Sequence, residues 1–341
     1  MRTITRIALA VLLAMALLAP AGCGSRDEPV RVSRPALGTM VTIEAYGSSE
    51  YAVRATIDEA FQQIDMVEQA LNSYSTTSAI AAVNRTPFQW NTLPYDAVDV
   101  LDRLQVLAID GEFSPYLLGV VKLYDFGGAN RVPTPGELGA ALQTASVPER
   151  KGEMFRFVGI SSSYAVPGLD FGGAAKGLAL DRAREMLDYT DDVTAAIVSA
   201  GSTTVTLGEK PDGEPWRVGV EDPRQPGVIL AVAEWRHDGA LSTSGDYQQF
   251  FERDGVRYHH ILDPKTGTPA RGTRSLTIVG RFSGLDSDIL STALFVEGPD
   301  AALAYAKEHR LGCYIVDGEG RTHLAPAPAD TGISLAEKSG E

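Results

Sequence analysis

The spacing of apolar residues changes period along this chain, and that change restricts the fold more than any other feature. Over residues 51–71, Ile57, Phe61, Ile64, Val67 and Leu71 recur every three or four positions, as one face of an amphipathic helix does. Val98, Leu101, Leu104 and Leu107 repeat the pattern over 95–110, with Gly111 as the stop. Shorter helices are predicted at 135–145 and, directly behind a Gly pair, at 174–187. The second half has a different texture. Residues 195–207, 216–220, 228–235, 257–262 and 275–279 read as strands punctuated by Gly and Pro, as does 40–46 earlier. Helices return at 285–296 and 299–309, followed by a strand at 312–316. The last stretch, 325–341, is poor in large apolar side chains and is expected to be a flexible tail. No internal repeat or low-complexity linker interrupts the body. The prediction is one α+β domain over 35–324.

The only long apolar run, 7–18, follows Arg2 and Arg6 and is too short to span a bilayer comfortably, which suits a signal-peptide core over 1–22. Ala19, Pro20, Ala21 and Gly22 then precede Cys23. Small residues before a Cys resemble a lipoprotein cleavage site, although Pro20 stands where such sites usually carry Leu. The expectation is an exported protein held to a membrane by lipid on Cys23, with 23–34 as a polar tether. An ordinary signal peptide followed by an incidental Cys is the alternative. The remaining cysteine, Cys313, sits in an apolar run and reads as a buried strand residue, not a nucleophile. With 30 Lys+Arg against 44 Asp+Glu, the formal charge is −14 and no basic block offsets it, so no nucleic-acid partner is expected.

Three segments have the residue types for chemistry. In DFGGAAKG, 170–177, a Gly pair opens a helix, where backbone N–H groups can approach an anion and Lys176 adds charge. The spacing fits neither a Walker loop nor a Rossmann turn, and two Gly before a helix also serve simple packing. In 242–270, a hydroxyl-rich turn leads to a hairpin at Asp254-Gly255 and then to His259 and His260, which point to opposite sides of a strand. Adjacent strand His residues do not readily share one metal, and a hydrogen-bonded structural imidazole is the plain alternative. In 285–298, Asp288 and Thr292 are four apart, so a carboxylate and a hydroxyl share a helical face. Few oxygen donors of low total charge suit Mg²⁺, whereas Asp286 or Asp288 could equally serve only to stabilise the helix N-terminus.

In this order the segments resemble the ApbE family of FAD:protein FMN transferases, from about residue 35 to about 316. The resemblance opens at 36–47, with Leu37 in place of a Met, and includes Tyr74, Ser78 and Asn84, the run 113–127, and close matches at 170–177, 242–270 and 288–295. Departures are Ser114 for a common Asp, Tyr124-Asp125 for Trp-Gly, and Ser199-Ala200-Gly201-Ser202-Thr203 for an Asn-x-Gly-Gly-Asp/Asn turn. The resemblance implies a T-fold-like mixed architecture and a reaction that splits FAD and attaches FMN to a Thr or Ser of an exported flavoprotein, releasing AMP. It implies Mg²⁺ held by Asp288, Thr292 and the Gly173 carbonyl. It further implies FAD, as substrate, lined by Leu37, Tyr74, Tyr124, Asp125, Phe126, Asp170 and Lys176. His260 is the candidate base, since imidazole titrates near working pH. Two other readings share the site: a Mg²⁺-dependent FAD pyrophosphatase and a flavin-binding lipoprotein that does not turn over.

Overall fold

The computed structural model describes residues 28–107, 109, 111–144, 148–159 and 164–338. The signal segment 1–22 and Cys23 lie outside the described residues. In chain order the elements are β1 (Val30–Ala36), β2 (Thr39–Gly47), α1 (Glu50–Leu71), α2 (Ala79–Arg85), β3 (Asn91–Thr92), α3 (Tyr95–Leu107), α4 (Leu118–Tyr124) and α5 (Pro135–Thr144). Next come β4 (Glu149–Lys151), β5 (Met154–Arg156), α6 (Ala175–Asp188), β6 (Val193–Ala200), β7 (Thr203–Leu207), β8 (Trp216–Glu221), β9 (Ile229–Trp235) and β10 (Gly239–Gly245). The chain continues with β11 (Phe250–Arg253), β12 (Val256–His259), β13 (Thr273–Gly280), α7 (Gly284–Glu297), α8 (Pro299–Glu308), β14 (Gly312–Asp317), β15 (Thr322–Ala325) and β16 (Ile333–Glu337).

The frame is an antiparallel sheet with, among the described residues, the order β1-β2-β6-β7-β10-β13-β14-β15. Alternation along each strand sends side chains to two different layers. Val41, Ile43, Val198 and Val205 meet the apolar stripes of α1 and α6, including Ile57, Phe61, Ile64 and Leu180. On the same side Leu276, Ile278 and Ile315 meet Leu290, Leu294 and Phe295 of α7. Tyr46, Leu241, Val279 and Tyr314 face the other way, onto Trp216 and Trp235 of the three-stranded sheet β16-β9-β8. The result is an α+β domain, with helices covering one face of the sheet and a smaller sheet covering the other.

Three local expectations are corrected. The stretch 195–207 is a hairpin, because Gly201 at φ +56° turns the chain between β6 and β7. The tether expected over 23–34 gives way at Val30 to β1, an edge strand paired along its length with β2. The tail expected over 325–341 contains β16, which pairs with β9 so that Ile333 and Leu335 are buried. Two large apolar residues suffice there because a strand hides alternate positions only.

Candidate active site

The crossing of α6 and α7 brings the Gly pair and the Asp-x-x-x-Thr segment together. A Cβ at Gly173 would lie 3.2 Å from the Thr292 hydroxyl and 2.8 Å from the Phe113 ring, so the glycine lets this backbone sit close against both side chains. Asp288 is buried. Its Oδ2 accepts the Gly177 N–H at 3.0 Å, and its Oδ1 accepts the Thr203 hydroxyl at 3.1 Å with the Lys176 ammonium 3.7 Å away. The Thr292 hydroxyl donates to the Asp288 carbonyl at 3.0 Å and lies 3.2 Å from the Ser244 hydroxyl. Thr203 stands at the position where the family pattern carries Asp or Asn, so this departure falls directly on the carboxylate.

Asp286 has a different environment. A displacement of two residues turns a helical side chain by about 200°, and Asp286 is buried in a two-pronged ion pair with Arg103 of α3, Nη2 to Oδ2 being 2.6 Å. Asp286→Ala is therefore expected to lower stability by about 1–3 kcal/mol through the lost charged hydrogen bonds. Activity per folded molecule should be unchanged. Thermal unfolding alongside turnover normalised to folded protein checks this.

A second group gathers around Asp170, between the end of α1 and the start of α6. Asp170 accepts the Ser73 hydroxyl and the Gly172 N–H through Oδ1 and the Tyr74 hydroxyl through Oδ2, each at 3.1 Å. Tyr74 is exposed beside it, just past the end of α1. Leu37 forms the two-residue loop between β1 and β2 with Gly38, both at positive φ (54° and 70°). Such a backbone costs a side-chain-bearing residue about 1–3 kcal/mol. The Leu37 N–H is tied to Glu68 Oε2 at 2.9 Å, which helps to hold it there.

The third group is aromatic. Asp125 ends α4 in a left-handed conformation, and its carboxylate accepts the Ala129 N–H at 2.7 Å, which turns the chain after Phe126. Phe126, half-buried, stacks on Tyr124 with ring centroids 5.3 Å apart and leads on to Phe251 and Tyr258 of the β11–β12 hairpin. Tyr124 itself is buried, with its hydroxyl donating to the Gly267 carbonyl at 2.9 Å, and burial pushes that phenol up to about 12. It backs Phe126, with its own ring covered.

The two histidines diverge as the strand pattern predicts. His259 is buried, with Nε2 2.9 Å from the Ala270 carbonyl and its ring edge-on to Phe295. His260 lies just beyond β12, half-buried, with Nδ1 3.2 Å from the Gln249 carbonyl. A carbonyl can only accept, so Nδ1 of the neutral ring carries the proton and Nε2 keeps its lone pair. Burial, reinforced by His259 and the Lys176 charge, holds the His260 imidazole down at about 4. At neutral pH it is an uncharged base.

No group of three His, Cys, Asp or Glu gathers among the described residues, so a cation here must rely on other oxygens. Asp288, Thr292 and the Gly173 backbone are three hard-oxygen contributors in one place, a donor set that fits Mg²⁺ completed by water and phosphate. Sequence reasoning placed Thr203 in the departing turn and Ser244 in the hydroxyl-rich one without foreseeing that they reach Asp288 and Thr292, and it missed Ser73. Ser73 neighbours Tyr74, but it is 97 residues from Asp170, and no local spacing signals that contact.

Fold and site together describe an α+β domain in which the start of α6 meets the buried Asp288 carboxylate of α7, with a neutral imidazole, His260, that feels the Lys176 charge. The ApbE family model matches residues 37–315, and the chain belongs to the ApbE family. It is 32% identical over 311 residues to a FAD:protein FMN transferase of Treponema pallidum, covering 84% of each chain. A FAD:protein FMN transferase of Vibrio cholerae is 30% identical, with 86% of this chain and 89% of that one covered. The ApbE protein of Thermotoga maritima superposes with a TM-score of 0.77 at 28% identity, over 89% of this chain and 99% of the other.

Proposed function

We propose that this chain is a Mg²⁺-dependent FAD:protein FMN transferase that moves the FMN part of FAD onto a Thr or Ser hydroxyl of an exported flavoprotein and releases AMP. The observation that carries the reading is the meeting of Lys176, Asp288, Thr292 and the Gly173 backbone at one helix crossing, in a family whose relatives bear that name. Phosphoryl transfer needs mainly positioning and charge neutralisation. Asp288, Thr292 and the Gly173 carbonyl would hold Mg²⁺, which when bound supplies positive charge at the pyrophosphate. Lys176 adds a second positive charge. Asp170 and Tyr74, with Leu37 and Phe126, would orient the dinucleotide. His260 Nε2 takes the proton of the acceptor hydroxyl as its oxygen forms a bond to the FMN phosphorus. The pyrophosphate bond breaks, and its electron pair leaves with AMP.

Incubation with FAD, Mg²⁺ and a candidate acceptor, followed by intact-mass analysis, tests this. The acceptor should gain one FMN phosphoester as AMP appears. Free FMN and AMP with an unmodified acceptor would indicate the pyrophosphatase instead, and retained FAD the flavin-binding alternative.

We further propose export and anchoring through lipid on Cys23, a place where a covalently attached flavin cannot diffuse away. Cys23→Ser should leave the protein unlipidated and release it from membranes on fractionation. Normal maturation and retention of that variant would remove the lipid assignment.

A further inference from the structure

Helices α6 and α7 carry the same short signature where they cross. Residues 177–181 and 284–288 each read Gly-Leu-x-x-Asp. The glycines are in direct backbone contact. A Cβ on Gly177 would fall 2.1 Å from the Gly284 carbonyl oxygen, and one on Gly284 would fall 2.6 Å from that of Gly177. With no side chain between the helices, the Asp one turn further along each helix reaches the first turn of the other. Asp181 accepts the Gly284 N–H at 2.7 Å through Oδ1 and the Leu285 N–H at 2.8 Å through Oδ2. Asp288 returns the contact by accepting the Gly177 N–H at 3.0 Å. Helix starts leave such amides without intrahelical partners, and each helix here supplies the carboxylate for the other. Both carboxylates are buried.

We infer that Asp181 is a positioning residue for the cation-binding carboxylate Asp288, an inference that rests on the transferase reading. Because Oδ2 of Asp288 is committed to Gly177, the carboxylate takes its orientation from where α6 begins relative to α7. Asp181 is the reverse tether of that same crossing. Gly173 and Lys176 lie on the α6 side, and Thr292 lies one turn beyond Asp288 on the α7 side. Movement of one helix along the other therefore changes every donor separation at once, in a site where about 1 Å of misplacement costs about 10²-fold. A buried carboxylate without such a cross-tether lacks this leverage. Asp317, also buried, is bonded by Glu319, Arg321 and His323 within its own turn and hairpin.

The test uses the full chain and Mg²⁺ alone, with affinity read by calorimetry and by the Mg²⁺-dependent rise in thermal midpoint, and then AMP release from FAD in the presence of the acceptor protein across the same Mg²⁺ range. Asp181→Asn preserves side-chain volume and removes one acceptor. It should weaken Mg²⁺ binding by about 10–100-fold, as loss of groups that orient metal ligands does, and AMP release should recover toward wild type at saturating Mg²⁺. Asp181→Ser, which is too short to reach both amides, should weaken it further, and it is read in the same way if the Asn variant does not fold. Asp317→Asn should lower the thermal midpoint and leave Mg²⁺ affinity unchanged. Asp181 variants that lose thermal stability but bind Mg²⁺ with wild-type affinity would overturn the inference and leave Asp181 as a clamp on the fold. If wild type itself neither binds Mg²⁺ nor releases AMP, the transferase reading fails and takes the inference with it.

Discussion

Asp288→Ala is expected to abolish Mg²⁺-dependent cleavage of FAD, whether water or a Thr hydroxyl is the acceptor. The substitution removes the only carboxylate assigned to the cation. It also leaves the Gly177 N–H, the Thr203 hydroxyl and the Lys176 ammonium without their shared partner. Loss of a single preorganised electrostatic group in a dry site commonly costs about 10²–10³-fold, and loss of the cation should compound it. Asp288→Asn keeps the shape and loses the charge, so its deficit should shrink as Mg²⁺ is raised. AMP release measured across a Mg²⁺ titration distinguishes the two variants. Wild-type turnover by Asp288→Ala would remove the metal assignment and favour a flavin-binding role.

His260→Ala is expected to lose flavin transfer by about 10²–10⁴-fold while FAD binding persists, because a general base contributes to rate more than to affinity. The pH profile carries a second signature. With the imidazole held down at about 4, the free protein keeps His260 in its basic form well below the ordinary His range. The acid limb of kcat/KM assigned to this group should therefore fall near pH 4, not near 6.5. Stability has its own sign. His259 is likewise held at about 4 by burial, so as pH falls below 6.5 the unfolded chain takes up protons that the folded chain refuses. The contribution of these two residues is complete above pH 6.5 and is lost progressively toward pH 4. An acid limb near 6.5 that disappears in His260→Ala would show an imidazole far more basic than its burial implies. Unchanged turnover in that variant would reduce His260 to a structural residue.

Local spacing carried much of this molecule. Ile57, Phe61, Ile64 and Leu71 mark the buried face of α1 because a helix repeats every 3.6 residues, and all four are buried. Asp288 and Thr292 are on one helical face for the same reason, and His259 and His260 part company because strand neighbours alternate. The Gly pair marked the start of α6, though not what that start would meet. Spacing was insufficient where a boundary depended on a partner. β16 has only Ile333 and Leu335 to bury and becomes a strand because β9 and its Trp235 are there to receive it.

The sequence by itself determined the α+β class, the principal helices and strands, and the family resemblance that singled out Asp288, Thr292, Gly173, Lys176 and His260. Periodicity reports which face of an element avoids water, and a motif reports which residue types stand close along the chain. Neither reports which other face will cover it. Tertiary structure alone decided that Thr203 would reach Asp288 across 85 residues, that Ser73 would reach Asp170 across 97, and that Asp181 and Asp288 would cap each other's helices. Those contacts form only once the sheet order has set α6 against α7, because a buried carboxylate must find donors and its own helix cannot supply them.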